Sequence, residues 1–239
     1  MQIAVFSDTH LTDKFEPQLY QALKKMIESA DQVIINGDFW DGFLVSFDAF
    51  VNSKWKQLFP LFKKKNTIYI YGNHDPEHLC DDRVSLFSVT QTLHHDLKVG
   101  KYLYKIQHGH LVHQSIITNS AALFPPAWIT SLNVWIKQHE VEGTRFGQLT
   151  ARIEKYFDQI GDKKLQVYVR KVRAGHPNVF YIFGHTHILN FLPNDGYLNP
   201  GSFTALTPRY ICIEDAEHPG LEPVRRYNDS VFRWNRTTT

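Results

Sequence analysis

The chain has 239 residues, of which 43% are hydrophobic and 21% are charged, and its formal net charge at pH 7 is +2. This length and composition are typical of one folded domain with room for an insertion, and so small a charge gives no reason to expect a nucleic-acid partner. The two cysteines, Cys80 and Cys212, stand outside any Cys-x-x-Cys pattern, which argues against a disulfide framework and indicates the cytoplasm. We find no signal-peptide pattern and no run of about 18 apolar residues, so neither export nor a transmembrane helix is predicted.

The first third of the chain alternates short apolar runs with helical patterns. The runs at 3–6, 33–35 and 68–71 predict three strands, and apolar residues at helical spacing after the first run predict a helix. The segment 47–65 predicts another helix, which Pro60 kinks or ends. Strands that alternate with helices favour βαβ units.

From Thr90 onward the pattern becomes rich in strands. The segments 92–99 and 101–107 predict a hairpin that turns at Gly100. Further strands are predicted at 179–183, near Phe191, at 210–213 and at 221–226. Together with the first third, these elements predict an α/β fold in which two sheets form a β-sandwich flanked by helices.

A long helical segment interrupts the strands. Apolar stripes run through it, and their members are Trp128, Ile129, Leu132, Trp135 and Ile136 in one and Leu149, Ile153, Tyr156, Phe157 and Ile160 in the other. We therefore predict a catalytic domain made of residues 1–110 and 179–239, with a helical cap insertion at 111–178.

A polar motif follows each of five predicted strands, and strand ends that converge on one edge of a sheet are where α/β proteins build their sites. The motifs are Asp8-Thr9-His10, Gly37-Asp38, Gly72-Asn73-His74-Asp75, His108-Gly109-His110 and Gly184-His185-Thr186-His187. They supply carboxylate, amide and imidazole ligands without thiolates, a set that suits manganese, iron or zinc as divalent ions.

These five motifs, in this order, resemble the calcineurin-like metallophosphoesterases, whose pattern is D-x-H, G-D, G-N-H-[DE], a histidine near a glycine, and G-H-x-H. The resemblance implies a metallophosphoesterase fold and hydrolysis of a phosphoester by a hydroxide that bridges two divalent metal ions, with manganese expected first. It also implies the ligands: Asp8, His10 and His187 for the first ion, Asn73, His108 and His185 for the second, and Asp38 for both.

Two further residues of the third motif receive catalytic roles from the resemblance. His74 would stabilise the phosphoryl oxygens or protonate the leaving oxygen, and Asp75 would orient His74. His110 stays ambiguous, because relatives often carry an aspartate there. We take His108 as the ligand since it directly ends its strand, although the two histidines could be exchanged.

Within this family the chain most resembles the UDP-2,3-diacylglucosamine pyrophosphatases, through its size, through Gly37-Asp38-Phe39-Trp40-Asp41 and through the position of the insertion. This resemblance implies a lipid-linked pyrophosphate as substrate, with Trp128, Trp135 and Arg152 of the cap among the substrate-binding residues. It also leaves a peripheral contact with the inner membrane face open. The segment Asn199-Pro200-Gly201-Ser202 and His110 depart from those enzymes.

Three alternatives accompany this interpretation. The apolar stripe of the cap could simply pack on the catalytic domain or on a second subunit, and the sequence leaves the oligomeric state undetermined. The substrate could be a small nucleotide or another phosphodiester. A non-catalytic binding scaffold is disfavoured, because buried charged ligands are costly without a metal to neutralise them.

Overall fold

The computed structural model describes residues 1–117, 135, 145–214 and 230–233, and these form two packed sheets with helices on both outer faces. The helices are α1 Pro17–Ser29, α2 Phe47–Asn52, α3 Phe59–Lys64, α4 His110–Ile117 and α5 Arg145–Val172. The strands are β1 Gln2–Phe6, β2 Gln32–Asn36, β3 Ile68–Ile70, β4 Thr90–Thr92, β5 His94–Val99, β6 Tyr102–Gln107, β7 Val179–Ile182, β8 Asn190–Leu192, β9 Tyr197–Asn199, β10 Arg209–Glu214 and β11 Ser230–Arg233. The predicted α/β sandwich is confirmed.

The first sheet has six strands in the order β11-β10-β1-β2-β3-β4. Strands β1 to β4 are parallel to one another, β10 runs antiparallel to β1, and β11 is parallel to β10. Parallel strands that are covered on both faces need apolar residues at nearly every position, which is why the runs at 3–6 and 33–35 are continuous rather than alternating. Their carboxyl ends all meet at one edge.

The second sheet has five strands in the order β5-β6-β7-β9-β8. Strands β5 and β6 form the predicted hairpin around Gly100, and β6, β7 and β9 run parallel. Thr92 belongs to β4 of the first sheet and not to the hairpin, so the predicted strand 92–99 is in fact divided between the two sheets. Strands β9 and β11 were not predicted, and the predicted strand at 221–226 lies outside the described residues.

Alternate side chains of β1 build two separate cores. Ile3 and Val5 point between the sheets, where they join residues of the second sheet such as Ile106 and Ile182. Ala4 and Phe6 point to the opposite face and pack under α1 to α3. This alternation follows from the two-residue period of a strand, and it fixes the stacking of the sheets and therefore the meeting of their strand ends.

The helical segment at 47–65 is broken earlier than predicted. Ser53 ends α2 and its hydroxyl caps a short 3-10 helix by accepting a hydrogen bond from the Trp55 backbone N–H. Pro60 then lies in the first turn of α3, where its missing N–H leaves no hydrogen bond unmade. The prediction that Pro60 ends or kinks the helix is therefore wrong, because it begins one.

The predicted insertion contains α4 and α5, while 118–134 and 136–144, with Trp128 and most of its stripe, lie outside the described residues. The second half of α5 packs on the outer face of the second sheet through Leu165 and Val169, against Tyr181, Phe183 and Tyr197. The boundaries of the cap stay a prediction. Among the described helices, none combines the length and apolarity needed to cross a membrane.

Candidate metal centre

The seven candidate ligands lie together where the carboxyl ends of the two sheets meet. The turns after β1, β2 and β3 carry four of them, and the segments after β6 and β7 carry the other three. The turns after β1 and β2 run side by side, since the backbone N–H of His10 donates to the Asp38 carbonyl at 3.0 Å. Across the sheets, the Gly184 N–H donates to the His108 carbonyl at 2.9 Å.

Five of the seven ligands adopt left-handed backbone, with φ between 47° and 68°: Asp8, His10, Asp38, His185 and His187. This conformation costs a non-glycine residue about 1–2 kcal/mol, and such strain is concentrated at functional sites. Because β1 ends at Phe6, Asp8 and His10 do not lie on extended backbone. Both side chains nevertheless reach the site, through consecutive tight turns.

The first group of candidate ligands consists of Asp8, His10 and His187, whose ligand atoms all lie within 4.8 Å of one another. Nε2 of His10 and Nε2 of His187 are 3.1 Å apart, and Nε2 of His187 is 3.5 Å from Oδ1 of Asp8. Oδ1 of Asp8 accepts a hydrogen bond from the backbone N–H of His185 at 3.0 Å, which holds the carboxylate in place. These three side chains therefore converge on one point.

The second group consists of Asn73, His108 and His185. Oδ1 of Asn73 lies 3.1 Å from Nε2 of His108 and 2.8 Å from Nδ1 of His185. The His108 ring is held from behind, because its Nδ1 lies 2.8 Å from the Asn36 carbonyl oxygen. An amide oxygen and two imidazoles thus converge on a second point.

Asp38 lies between the two groups. Its Oδ2 is 3.1 Å from Nε2 of His108 in one group and 3.9 Å from Nε2 of His10 in the other. Its Oδ1 accepts the His74 backbone N–H at 2.9 Å. Gly37 makes this approach possible, since a Cβ there would lie 2.4 Å from Nδ1 of His108.

His74 lies beside this cluster, with its ring centroid 4.4 Å from that of His10. The carboxylate that contacts its ring is that of Asp41, whose Oδ1 is 3.1 Å from Nδ1 of His74. The prediction that Asp75 orients His74 is therefore wrong. Asp41 was noticed in the sequence only as part of the Gly-Asp-Phe-Trp-Asp resemblance, because nothing local marks it as a partner of a histidine 33 residues away.

Asp75 has a different place. It is fully buried, and its carboxylate accepts backbone N–H groups from Gly72 at 2.7 Å, Asp38 at 2.9 Å and Phe39 at 2.6 Å. Sequence neighbours on a turn do not share a direction, so Asp75 points inward while His74 points toward the cluster. Asp75 therefore ties the turn after β2 to the turn after β3.

His110 and His113 lie on α4 beside the second group. The His110 ring centroid is 5.5 Å from that of His108, whereas Nε2 of His108 lies 3.1 Å from both Oδ2 of Asp38 and Oδ1 of Asn73. Nδ1 of His113 is 3.2 Å from Nε2 of His185. His113 is not among the site residues predicted from the sequence, although its position one turn after His110 on a helix is a signal that could have identified it.

The long helix α5 contributes two carboxylates one turn apart. Oδ2 of Asp158 lies 3.6 Å from Nδ1 of His187. Asp162 is buried and accepts hydrogen bonds from Asn190 at 2.8 Å, from Thr186 at 3.3 Å and from the Tyr197 hydroxyl. Neither role is predictable from the sequence, because both aspartates have the pattern of ordinary polar residues on an amphipathic helix.

The three predicted substrate-binding residues of the cap are Trp128, Trp135 and Arg152. Trp135 is 46% exposed and Arg152 is exposed on α5, while Trp128 lies outside the described residues. Within the resembling motif, Phe39 and Trp40 are buried in the core beneath α2 and α3. Phe43, at the end of the same turn, is exposed and its ring centroid is 4.4 Å from that of His74.

Buried charges determine how these groups hold protons. Burial lowers the pKa of His108, but the Asp38 carboxylate outweighs it and raises the pKa to about 10. Burial also lowers the pKa of His187, but the carboxylates of Asp158 and Asp8 outweigh this effect and raise that pKa to about 9. Burial would raise the pKa of Asp38, but His108 holds it well below its ordinary value. In the protein without metal, protons on imidazoles therefore balance the buried carboxylates.

The donor set fits divalent cations. The buried Oδ2 of Asp8 has no hydrogen-bond partner among the described residues, and Nε2 atoms of two histidines face each other beside it. A cation would satisfy several such inward-facing lone pairs at once, which a single proton does not. Carboxylate, amide and imidazole donors suit manganese, iron or zinc equally, so the chemistry of the ligands leaves the identity of the metal open.

Stacked sheets whose strand ends carry such a cluster define the class of metal-dependent phosphoesterases. The chain belongs to the calcineurin-like phosphoesterase family, whose model matches residues 1–189, a stretch that holds all five motifs. It is accordingly a metal-dependent hydrolase of phosphoesters.

The chain is also similar to several solved structures. The phosphoesterase YfcE from E. coli shares 14% identity over 92% of this chain and 85% of its own, with a TM-score of 0.41. A conserved uncharacterized protein from Streptococcus pneumoniae, a predicted phosphoesterase, shares 17% identity over 90% of this chain and 84% of its own, with a TM-score of 0.39. A novel archaeal phosphodiesterase shares 17% identity over 85% of each chain, with a TM-score of 0.40. No curated protein matches the sequence significantly, and similarities this distant say nothing about the substrate.

Proposed function

We propose that the protein hydrolyses a phosphodiester or pyrophosphate bond at a centre of two divalent metal ions. The observation that carries the proposal is the convergence of seven oxygen and nitrogen donors, from five separate strand ends, into two groups that share Asp38. Asp8, His10 and His187 would hold one ion, and Asn73, His108 and His185 the other.

When bound, two such ions supply Lewis acidity, which lowers the pKa of a water molecule and neutralises charge on the phosphoryl group. The chain itself supplies the rest. Asp38 would help to hold both ions, because its Oδ2 lies 3.1 Å from Nε2 of His108 in one group and 3.9 Å from Nε2 of His10 in the other. Asp8 and Asp38 have left-handed backbone, and their carboxylates accept the backbone N–H groups of His185 and His74, so these donors are held in place before the substrate arrives.

His74 is the proton donor or oxyanion partner in this proposal. With Nδ1 held by Asp41, Nε2 is the nitrogen that the ring offers to a phosphoryl or leaving oxygen. The ring is 19% exposed, whereas the His108 ring is completely buried, so His74 is accessible to a substrate in a way that the ligand is not.

The finer proposal is a lipid-linked pyrophosphate of the UDP-2,3-diacylglucosamine type. It is supported by the sequence resemblance of the Gly37–Asp41 motif and by the exposed Trp135 and Arg152 of the predicted cap. The buried positions of Phe39 and Trp40 weaken that support, because these side chains serve the core and do not face a substrate. Peripheral contact with a membrane remains part of this finer proposal only.

The test begins with chelator-treated protein, to which Mn²⁺ is returned in steps while hydrolysis of bis(p-nitrophenyl) phosphate is followed. We expect metal-dependent hydrolysis by the wild type and its near-complete loss in Asp38→Asn, which removes the shared charge but not the side-chain volume. Circular dichroism of both proteins controls for folding. Metal-independent turnover, or an Asp38→Asn variant of normal activity, would overturn the proposal.

The substrate is tested separately by release of UMP from UDP-2,3-diacylglucosamine, with UDP-N-acetylglucosamine as the control that lacks the acyl chains. Release from the first substrate alone supports the lipid proposal. Equal release from both, or from neither while bis(p-nitrophenyl) phosphate is hydrolysed, refutes the lipid specificity and leaves the metal centre standing.

A further inference from the structure

Each of the four imidazoles in the centre turns one nitrogen toward the cluster and the other toward an outer group. For His108 the outer group is the Asn36 carbonyl at 2.8 Å, and for His10 it is Asp41, at 3.7 Å. Both of these come from the turn after β2 and its strand. The outer groups of His185 and His187 come instead from the predicted cap.

The outer group of His187 is Asp158 of α5. Nδ1 of His187 faces Oδ2 of Asp158 at 3.6 Å, while Nε2 faces His10 and Asp8. A carboxylate at Nδ1 favours the tautomer that keeps its proton there, which leaves the lone pair of Nε2 for a cation.

The outer group of His185 is His113 of α4. In His185, Nδ1 faces the cluster and Nε2 faces the outer group, which is the reverse of the arrangement in His187. Nδ1 of His185 faces Asn73 at 2.8 Å, and Nε2 lies 3.2 Å from Nδ1 of His113. An Nε2–H of His185 that donates to His113 leaves the lone pair of Nδ1 for a cation. The two histidines of one short segment would therefore bind through different nitrogens.

We propose that His113 and Asp158 are positioning residues, each of which fixes the tautomer and orientation of one metal-binding histidine, so that α4 and α5 are parts of the metal centre. This inference rests on the proposed function, because it takes His185 and His187 as ligands of two different ions. It predicts that each ion depends on its own helix.

The attachment of α5 does not depend on Asp158. One turn further along, Asp162 holds the helix to Thr186, Asn190 and Tyr197, and beyond it Leu165 packs on the second sheet. Replacing Asp158 should therefore change the surroundings of His187 while the helix stays in place.

The experiment measures the affinity of chelator-treated protein for Mn²⁺, by calorimetry with a competing chelator, in the wild type and in Asp158→Asn and His113→Leu. Loss of an outer partner typically lowers metal affinity by about 10- to 100-fold. We expect a loss of this size for one of two ions in each variant, with the affinity for the other ion retained. Asp158→Glu keeps a carboxylate near Nδ1 of His187, and His113→Asn keeps an acceptor near Nε2 of His185, so both variants should retain most of the affinity.

Glu154→Gln is the matched control for Asp158→Asn. Glu154 lies one turn earlier on α5 and acts on His187 only through its charge. If charge alone matters, Glu154→Gln should also weaken metal binding, although by less than Asp158→Asn because the charge of Asp158 acts more strongly on His187, and that outcome would refute a positioning role. We expect the control to bind both ions as the wild type does.

The nitrogens themselves are observed by ¹⁵N NMR of histidine side chains in the Zn²⁺-loaded protein, since Zn²⁺ is diamagnetic. We expect His187 to bind through Nε2 and His185 through Nδ1, with only His187 disturbed in Asp158→Asn and only His185 in His113→Leu. Wild-type spectra and affinities in both variants, or disturbance of both histidines by each variant, would overturn the inference. A wild type that binds fewer than two ions would instead overturn the proposed function. The unfolding temperature of each metal-free variant shows whether it has folded. If Asp158→Asn or His113→Leu does not fold, the ¹⁵N spectra of Asp158→Glu and His113→Asn test the inference in its place, and we expect both to bind metal through the same nitrogens as the wild type.

Discussion

The carboxylate of Asp41 lies 3.1 Å from Nδ1 of His74, and this contact joins the turn after β2 to the turn after β3. The neighbouring Asp75, which the sequence suggested for this role, points into the core and accepts three backbone N–H groups instead. Two acidic residues near one histidine thus have separate tasks, which mutation should separate.

His74→Ala should keep the metals and reduce kcat on bis(p-nitrophenyl) phosphate by about 10²–10⁴-fold, the range for loss of a general acid or base. Asp41→Asn should reduce it less, because the ring remains but is no longer held at Nδ1. If the two residues act as a unit, the double variant should be no slower than His74→Ala alone. Metal analysis accompanies the kinetics, and fully additive losses would contradict the pairing.

Asp75→Asn should lower stability more than it lowers the rate per folded molecule. Asparagine has one acceptor oxygen where the aspartate uses two, so at least one of the buried N–H groups of Gly72, Asp38 and Phe39 loses its partner. The expected loss in the free energy of unfolding is about 1–3 kcal/mol. Chemical denaturation of the metal-free protein measures it, and unchanged stability would show that Asp75 does not tie the turns together.

Metal binding should release protons and strengthen as the pH rises. In the metal-free protein the Asp38 carboxylate raises the pKa of His108 to about 10, and Asp158 and Asp8 raise that of His187 to about 9, each against the effect of burial. Both imidazoles are therefore protonated at pH 7, and a cation must displace those protons in order to bind. Below pH 9, each displaced proton should improve the apparent affinity by about tenfold per pH unit.

Calorimetry of Mn²⁺ binding in buffers with different ionisation enthalpies counts the protons released. The heat should differ between buffers at pH 7, and the difference should shrink above pH 10. A heat of binding that is independent of the buffer at pH 7 would mean that both histidines are already neutral.

Gly37→Ala should damage the metal centre, whereas Gly175→Ala should only strain the backbone. The two glycines have nearly equal φ values, +83° and +82°, so alanine costs about 1–2 kcal/mol at either position. Only at Gly37 would the new Cβ meet another group, since it would lie 2.4 Å from the His108 ring. Metal content and unfolding temperature of the two variants measure the difference, and equal effects would show that the close approach to His108 is unimportant.

Much of this site can be read from the sequence because each ligand motif directly follows a buried strand. The apolar runs before Asp8, Asp38, Asn73, His108 and His185 end at one side of two stacked sheets, and the side chains that follow them must meet there. The sandwich and the hairpin were therefore predicted correctly without coordinates, and the candidate ligand set stays a prediction whose members the fold brings together. The division of 92–99 between two sheets was not, because strand periodicity does not tell which sheet a strand joins.

Only the tertiary structure determines which residues contact the histidines of the centre from outside the cluster. Asp41, His113 and Asp158 each meet a histidine brought near by packing, and their residue types and local patterns are those of any polar turn or amphipathic helix. By itself, the sequence determined which atoms could hold the metal, since strand ends converge whatever the connections between them. The folded chain decided which nitrogen of each histidine faces inward, because that depends on contacts between segments far apart in the sequence.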